Sequence, residues 1–168
     1  RVTREELLAL ADRHGVAPER LWRCREDRIA TRLRAEIDAG RKAPYDDVSA
    51  LDDVDCPTGI VSNNQRRIIE SALETHGLAD RFETVVAREP TVRSLTEKKP
   101  EPTYLETAIA EIGVSNPLYV GDSETDVVAA KRAGVDVAFL RRGHNADAAL
   151  GTRPTYDVDG LATVVELI

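Results

Sequence analysis

Leu118-Tyr119-Val120-Gly121-Asp122-Ser123-Glu124-Thr125-Asp126 decides how this chain is read. An apolar run ends in glycine, and two carboxylates follow four residues apart. A buried strand of a parallel sheet looks like that, with polar groups at its carboxyl end. A hard divalent cation wants oxygen ligands, and Mg²⁺ usually takes one or two carboxylates and shares its other positions with water and substrate phosphate. The plain alternative is a helix cap, with Ser123 and Asp126 as an S-x-x-D box and Asp122 as a surface acid.

Upstream, the same alternation of apolar runs and helical patterns recurs. Thr58 to Ser62 reads as a short buried strand, Gln65 to His76 as a helix stopped by Gly77, and Phe82 to Ala87 as a second strand. Downstream come a helix from Pro102 to Ile112, the Leu118 strand, a helix from Asp126 to Ala133, and a strand from Val135 to Leu140. A short edge strand and a helix close the chain after Tyr156. Strands alternating with helices imply a doubly wound parallel α/β sheet.

Residues 1–44 follow another period. Thr3-Arg4-Glu5-Glu6 is a capping box, and Gly15 stops the helix it opens. Pro18 suits the first turn of a second helix, where Leu21, Ile29, Leu33 and Ile37 recur at multiples of four and Glu19/Arg23 and Arg32/Glu36 stand as i,i+4 pairs. His14 and His76, each before a helix-ending glycine, read as partners of the helix dipole. Two units are expected, a helical one over 1–44 and an α/β one over 45–168.

Charge divides at the same place. Residues 1–44 carry +3 and residues 45–168 carry −10, within a chain of 168 residues and net charge −7. An acidic chain argues against nucleic-acid binding, which needs a basic face. No apolar stretch approaches the roughly 20 residues of a membrane span, so a cytoplasmic protein is expected. Only four of the 23 basic residues are lysines and acids are plentiful, a balance that resembles proteins adapted to high salt or encoded in GC-rich genomes. Cys24 and Cys56 have no metal-ligand spacing and are expected to be reduced. The arginines at 20, 23, 25, 28, 32 and 34 form a solvated face or steer an anion. Trp22 reads most simply as packing between helices, with a place in a substrate pocket as the alternative, and Arg141-Arg142-Gly143-His144 as an exposed turn or, second, as a loop closing over the site.

Two more segments sit where strands give way to helices. Val61-Ser62-Asn63-Asn64 offers a hydroxyl and backbone amides to a phosphate, or caps a helix. In Lys98-Lys99-Pro100-Glu101-Pro102 the residue before proline is held extended, so Lys99 can aim its ammonium into a cleft.

Strand-Ser62-Asn63, then Lys99-Pro-x-Pro-x-x-Tyr104, then Gly121-Asp122-Ser-x-x-Asp126 followed by Ala129-Ala-Lys-Arg-Ala-Gly134 resembles, in that order, the second, third and fourth motifs of the haloacid dehalogenase-like hydrolase superfamily. The resemblance covers residues 45–168, and the helical segment stands where that family places its cap. It implies a Mg²⁺-dependent phosphatase acting on a small phosphorylated metabolite through an aspartyl nucleophile. Ser62 and Asn63 would bind the phosphoryl group, Lys99 would steady its charge, and Asp122 and Asp126 would hold the metal. A 2-haloacid dehalogenase or a phosphomutase of the same superfamily, or a catalytically silent binding module, are the alternatives.

The family's first motif, D-x-D-x-T after an apolar strand, carries the nucleophile and the acid/base. Asp53-Val54-Asp55-Cys56-Pro57-Thr58 matches it only superficially and reads as a surface turn. Since that strand lies centrally in the family's sheet, between those ending at Ser62 and Asp122, the sequence is expected to continue ahead of Arg1, and residues 1–168 alone to be inactive. Substrate identity and oligomeric state are not encoded in any motif found here.

Overall fold

The computed structural model describes residues 2–168. Two helices come first, α1 (Arg4–Arg13) and α2 (Pro18–Asp38). The Thr3 hydroxyl accepts from Glu6 N at 3.1 Å while Glu6 Oε2 accepts from Thr3 N at 2.8 Å, so the expected capping box forms. Pro18 opens α2. Glu36 pairs with Arg41 beyond the helix end rather than with Arg32. His14 and His76 are the C-caps of their helices.

A 3-10 turn over Asp46–Asp53 leads to β1 (Gly59–Gln65), α3 (Arg66–Thr75) and β2 (Thr84–Arg88). Asp53 and Asp55 are both exposed, as a surface turn requires. Then come α4 (Ser94–Glu97), α5 (Thr103–Ile112), β3 (Leu118–Gly121), α6 (Glu124–Ala133), β4 (Asp136–Leu140), β5 (Tyr156–Val158) and α7 (Leu161–Val165). The one-turn α4 carried no periodic signal and was not anticipated. Cys24 and Cys56 are free and exposed. No helix among the described residues is long and apolar enough to cross a membrane.

All strand pairs are parallel, yet they form two sheets, β1-β2 and β3-β4-β5. Thr58 O accepts from Glu83 N beside β2. Carbonyls alternate sides along a strand, so Val61, three residues further on, turns its carbonyl to the opposite, open edge. The sheet halves are bridged by helix packing. Leu105 of α5 belongs to the cluster of Val127, Ala130, Val137 and Phe139, while its neighbours Tyr104 and Ala108 pack on Val86. Ala138, between Val137 and Phe139, faces the other way onto Val158 and Val164. Period-two alternation thus gives β4 a helix on each face, the doubly wound arrangement.

The helical segment docks at two places. Ala30, Leu33 and Ile37 of α2 meet Ile68 and Ala72 of α3. Leu7 and Trp22 meet Val92 and Leu95. Trp22 therefore packs beyond its own helix pair. Beside it lies a buried polar knot: Glu26, with 0% exposure, accepts from Arg88 Nη2 at 2.5 Å and Arg25 Nη1 at 2.6 Å, and Gln65 Nε2 donates to its carbonyl at 2.9 Å. Both guanidinium groups also lie over the Trp22 ring, at 4.8 and 5.3 Å.

A buried charge that loses its partner is uncompensated, whereas an ion pair replaced whole is often neutral. Glu26→Ala is expected to cost about 3–5 kcal/mol in urea unfolding, and the double variant Glu26→Met/Arg88→Met much less. Equal losses in the two variants would show that packing, and not charge compensation, governs this contact.

Candidate functional site

The site is built at the carboxyl ends of β1 and β3, on either side of the open edges. β1 pairs regularly with β2 up to Ser62↔Ala87, then slips so that Gln65 lies opposite Arg88. Asn63 and Asn64 are left outside the ladder, as in a bulge. The Ser62 hydroxyl accepts from Asn64 N at 3.1 Å and fixes this loop. It does not cap α3, whose N-cap is Gln65, so the capping alternative fails.

Asn63 clamps the backbone of Lys99. Its Nδ2 donates to Lys99 O at 2.9 Å, and its Oδ1 accepts from Lys99 N at 2.8 Å. Such two-point contact copies a strand ladder with a side chain, and it anchors the segment before the cis Lys99-Pro100 peptide. The Lys99 side chain then runs inward, with 9% of it exposed. Its ammonium donates to Val61 O at 2.9 Å on the open edge of β1, to Tyr119 Oη at 2.6 Å on β3, and to Asp126 Oδ1 at 2.7 Å on α6.

Asp126 is correspondingly committed. Oδ1 also accepts from Tyr119 Oη at 3.1 Å, and Oδ2 accepts from Ser123 N at 3.0 Å and the Ser123 hydroxyl at 2.5 Å. The S-x-x-D capping box read in the sequence is therefore present, and the same carboxylate anchors Lys99. A Cβ on residue 121 would run into the Asp126 side chain, which is why glycine precedes Asp122. Burial raises the Asp126 pKa, but Lys99, Ser123 and Tyr119 outweigh it and hold the carboxyl below its usual value. Burial, and then the Asp126 charge, push the Tyr119 phenol up, so it stays protonated and donates.

Asp122 faces the opposite way, with half its side chain exposed. Its Oδ2 lies 3.1 Å from His144 Nε2, and its carbonyl accepts from Asn145 Nδ2 at 2.8 Å. Asn145 is buried, also donates to Leu140 O at 3.0 Å, and accepts from Arg142 N at 2.6 Å. Gly143 and His144 lie exposed in a turn, as the first sequence reading has it, and Asn145 ties that turn down beside Asp122. Tyr119 and Asn145 were missed outright. The available signal for Asn145 was its place just after β4, at the sheet end that also carries Gly121-Asp122.

Asn63, Lys99 and Asp126 are brought into one hydrogen-bonded group; Ser62 lies next to Asn63 with its hydroxyl on the Asn64 amide, and Asp122 stands nearby as an acid open to solvent. Among the described residues no three His, Cys, Asp or Glu converge as a ready metal cage. The donor set still suits Mg²⁺, which needs few protein oxygens and keeps several waters.

Residues 39–140 match the family model described as haloacid dehalogenase-like hydrolase. The chain belongs to this family. Similar proteins include phosphoglycolate phosphatases of Vibrio vulnificus, 30% identical over 72% of this chain and 53% of theirs, and of Neisseria meningitidis, 31% identical over 82% and 57%. The chain spans about half the length of these curated relatives. Among solved structures, a Lactobacillus plantarum protein matches with TM-score 0.70 at 23% identity, over 85% of this chain and 66% of that one. A haloacid dehalogenase-like phosphatase from Thermococcus onnurineus matches with TM-score 0.63 at 21% identity, over 98% and 91%. At such identities the structures establish the shared haloacid dehalogenase-like fold.

A carboxyl whose pKa is lowered on folding contributes stability above its unfolded value, about 4, and loses it as pH falls through the folded value. Asp126→Asn is therefore expected to lower stability at pH 7 and to flatten the loss of stability below about pH 4. Acid titration of the urea midpoint measures this; a variant with an unchanged acid limb would mean that Asp126 is not the ionised partner of Lys99.

Proposed function

We propose that this chain supplies most of the catalytic core of a Mg²⁺-dependent phosphomonoesterase acting on a small phosphorylated metabolite. The observation that carries the reading is the buried Lys99 ammonium, held between the ends of β1 and β3 by Val61 O, Tyr119 and Asp126 while Asn63 clamps the Lys99 backbone. Phosphoryl transfer mainly needs positioning and charge stabilisation, and a fixed cation beside amide-rich strand ends supplies both without reorganising.

In this reading the attacking carboxylate comes from a segment outside these residues, on a parallel strand between β1 and β3. Both strands present unpaired edges there. Such a strand would donate an amide to Val61 O, freeing one Lys99 N–H for the phosphoryl group. The Ser62 hydroxyl and the Asn63 backbone amide would bind phosphoryl oxygens, Lys99 would offset the negative charge that builds on them, and Asp126 would keep Lys99 in place. The carboxylate would attack phosphorus as the P–O ester bond breaks, with an acid of the same outside segment protonating the leaving oxygen; the conjugate base would then take a proton from water, whose attack on the acyl phosphate releases phosphate and restores the carboxylate. Asp122 would hold Mg²⁺, which neutralises phosphate charge when bound. Residues 1–168 are expected to be silent alone. The phosphoglycolate phosphatases among the relatives make a phosphorylated small acid the first substrate to assay.

With the intact protein, p-nitrophenyl phosphate turnover is expected to vanish with EDTA and return with Mg²⁺. Lys99→Met should lower kcat by about 10²-fold or more, as loss of a transition-state donor does. Full activity in Lys99→Met would sink the assignment, and no turnover of any phosphate ester by the intact protein would favour a silent binding module.

A further inference from the structure

We propose that His144 makes Asp122 a one-oxygen ligand and thereby biases the cation site toward Mg²⁺ over Ca²⁺; this rests on the reading above that Asp122 carries the cation. His144 Nε2 sits 3.1 Å from Oδ2 of Asp122, and its N–H can satisfy that oxygen. Oδ1 is left to face a cation. Carboxylates bind Ca²⁺ through one oxygen or two, in flexible shells of six to eight ligands, whereas Mg²⁺ holds a tight octahedron and prefers to keep its waters. A carboxylate with one oxygen already hydrogen-bonded suits the second ion better than the first.

The imidazole is half exposed, but its loop is not loose. Asn145 ties the loop to Leu140 O and Asp122 O, and Arg141 Nη1 donates to the carbonyls of Asn145, Ala146 and Ala148. Arg142 bonds Asp47 at 2.9 Å and lies 4.6 Å from the Tyr45 ring. Tyr45 in turn places its hydroxyl 3.4 Å from His144 Nδ1. With Nδ1 directed at Tyr45, Nε2 is the nitrogen presented to Asp122. The same strap links the segment just after the helical unit to the cation carboxylate. Partners that orient a ligand typically change metal affinity 10–100-fold when removed.

Direct binding tests this without turnover. Mg²⁺ and Ca²⁺ dissociation constants are measured on the intact protein by titration calorimetry, with Mn²⁺ displacement followed by electron paramagnetic resonance as a check. His144→Ala is expected to lower the ratio Kd(Ca)/Kd(Mg) by about tenfold. His144→Gln, which keeps an N–H donor of similar reach, should stay within about twofold of the parent ratio. Melting in EDTA should be unchanged in both, because an exposed pair contributes little to stability. An unchanged ratio in His144→Ala, with binding abolished by Asp122→Asn, overturns the proposal and leaves the cation reading standing. A Gln variant as perturbed as Ala also overturns it, and a parent protein that binds neither ion overturns both.

Discussion

The contact on which the site depends is the buried ion pair between Lys99 and Asp126. It lies where two half-sheets face each other without a shared ladder, and its ammonium touches β1, β3 and α6 at once. An ammonium taken out of water is tolerated only when its donors are satisfied and a counter-charge is near. Asp126 supplies the charge, Val61 O and Tyr119 complete the shell, and Ser123 satisfies the carboxylate's other oxygen. Each partner is placed by a local rule of the chain: a strand edge, a strand side chain, a helix cap. The glycine before Asp122 serves the same contact, because a side chain there would occupy the space Asp126 fills.

Much of this was legible in the sequence, and the reasons are physical. Apolar runs with period two, capping boxes and helix-stopping glycines are local, so the strands and longer helices were placed to within a few residues. Lys99 was singled out because proline constrains its backbone, and Asp122 and Asp126 because they follow an apolar strand. Ser62 was harder: hydroxyls favour helix caps, and only the slip in register after residue 62 shows that α3 begins later. The contacts that escaped join residues distant in sequence. Glu26 meets Arg88 across 62 positions, and Tyr119 looked like one more apolar strand residue although its hydroxyl bridges Lys99 and Asp126. No periodicity marks such pairs, since packing, not propensity, creates them.

The charges of the helical segment are likewise spent more locally than their number suggests. Arg25 is bound to Glu26, and Arg34 lies near Asp38. The surplus positive charge at the Trp22 knot is offset by cation–π contact rather than by a second acid. What joins helical segment to sheet is therefore a mixture of small apolar clusters and one desolvated polar group, and the second demands a far stricter geometry than the first.

The division of the sheet has a consequence for how the chain reaches its structure. β1, α3 and β2 are contiguous between residues 59 and 88, and β3, α6, β4 and β5 between 118 and 158. Each half is therefore continuous in sequence, its parallel strands pairing across a crossover, Gly59 with Thr84 in one and Leu118 with Asp136 in the other. Their meeting depends on α5, which packs on both halves and brings Lys99 with it because only Pro100 to Pro102 lie between them. The residue that reads as the chemical centre is also the one that arrives when the two folding units join.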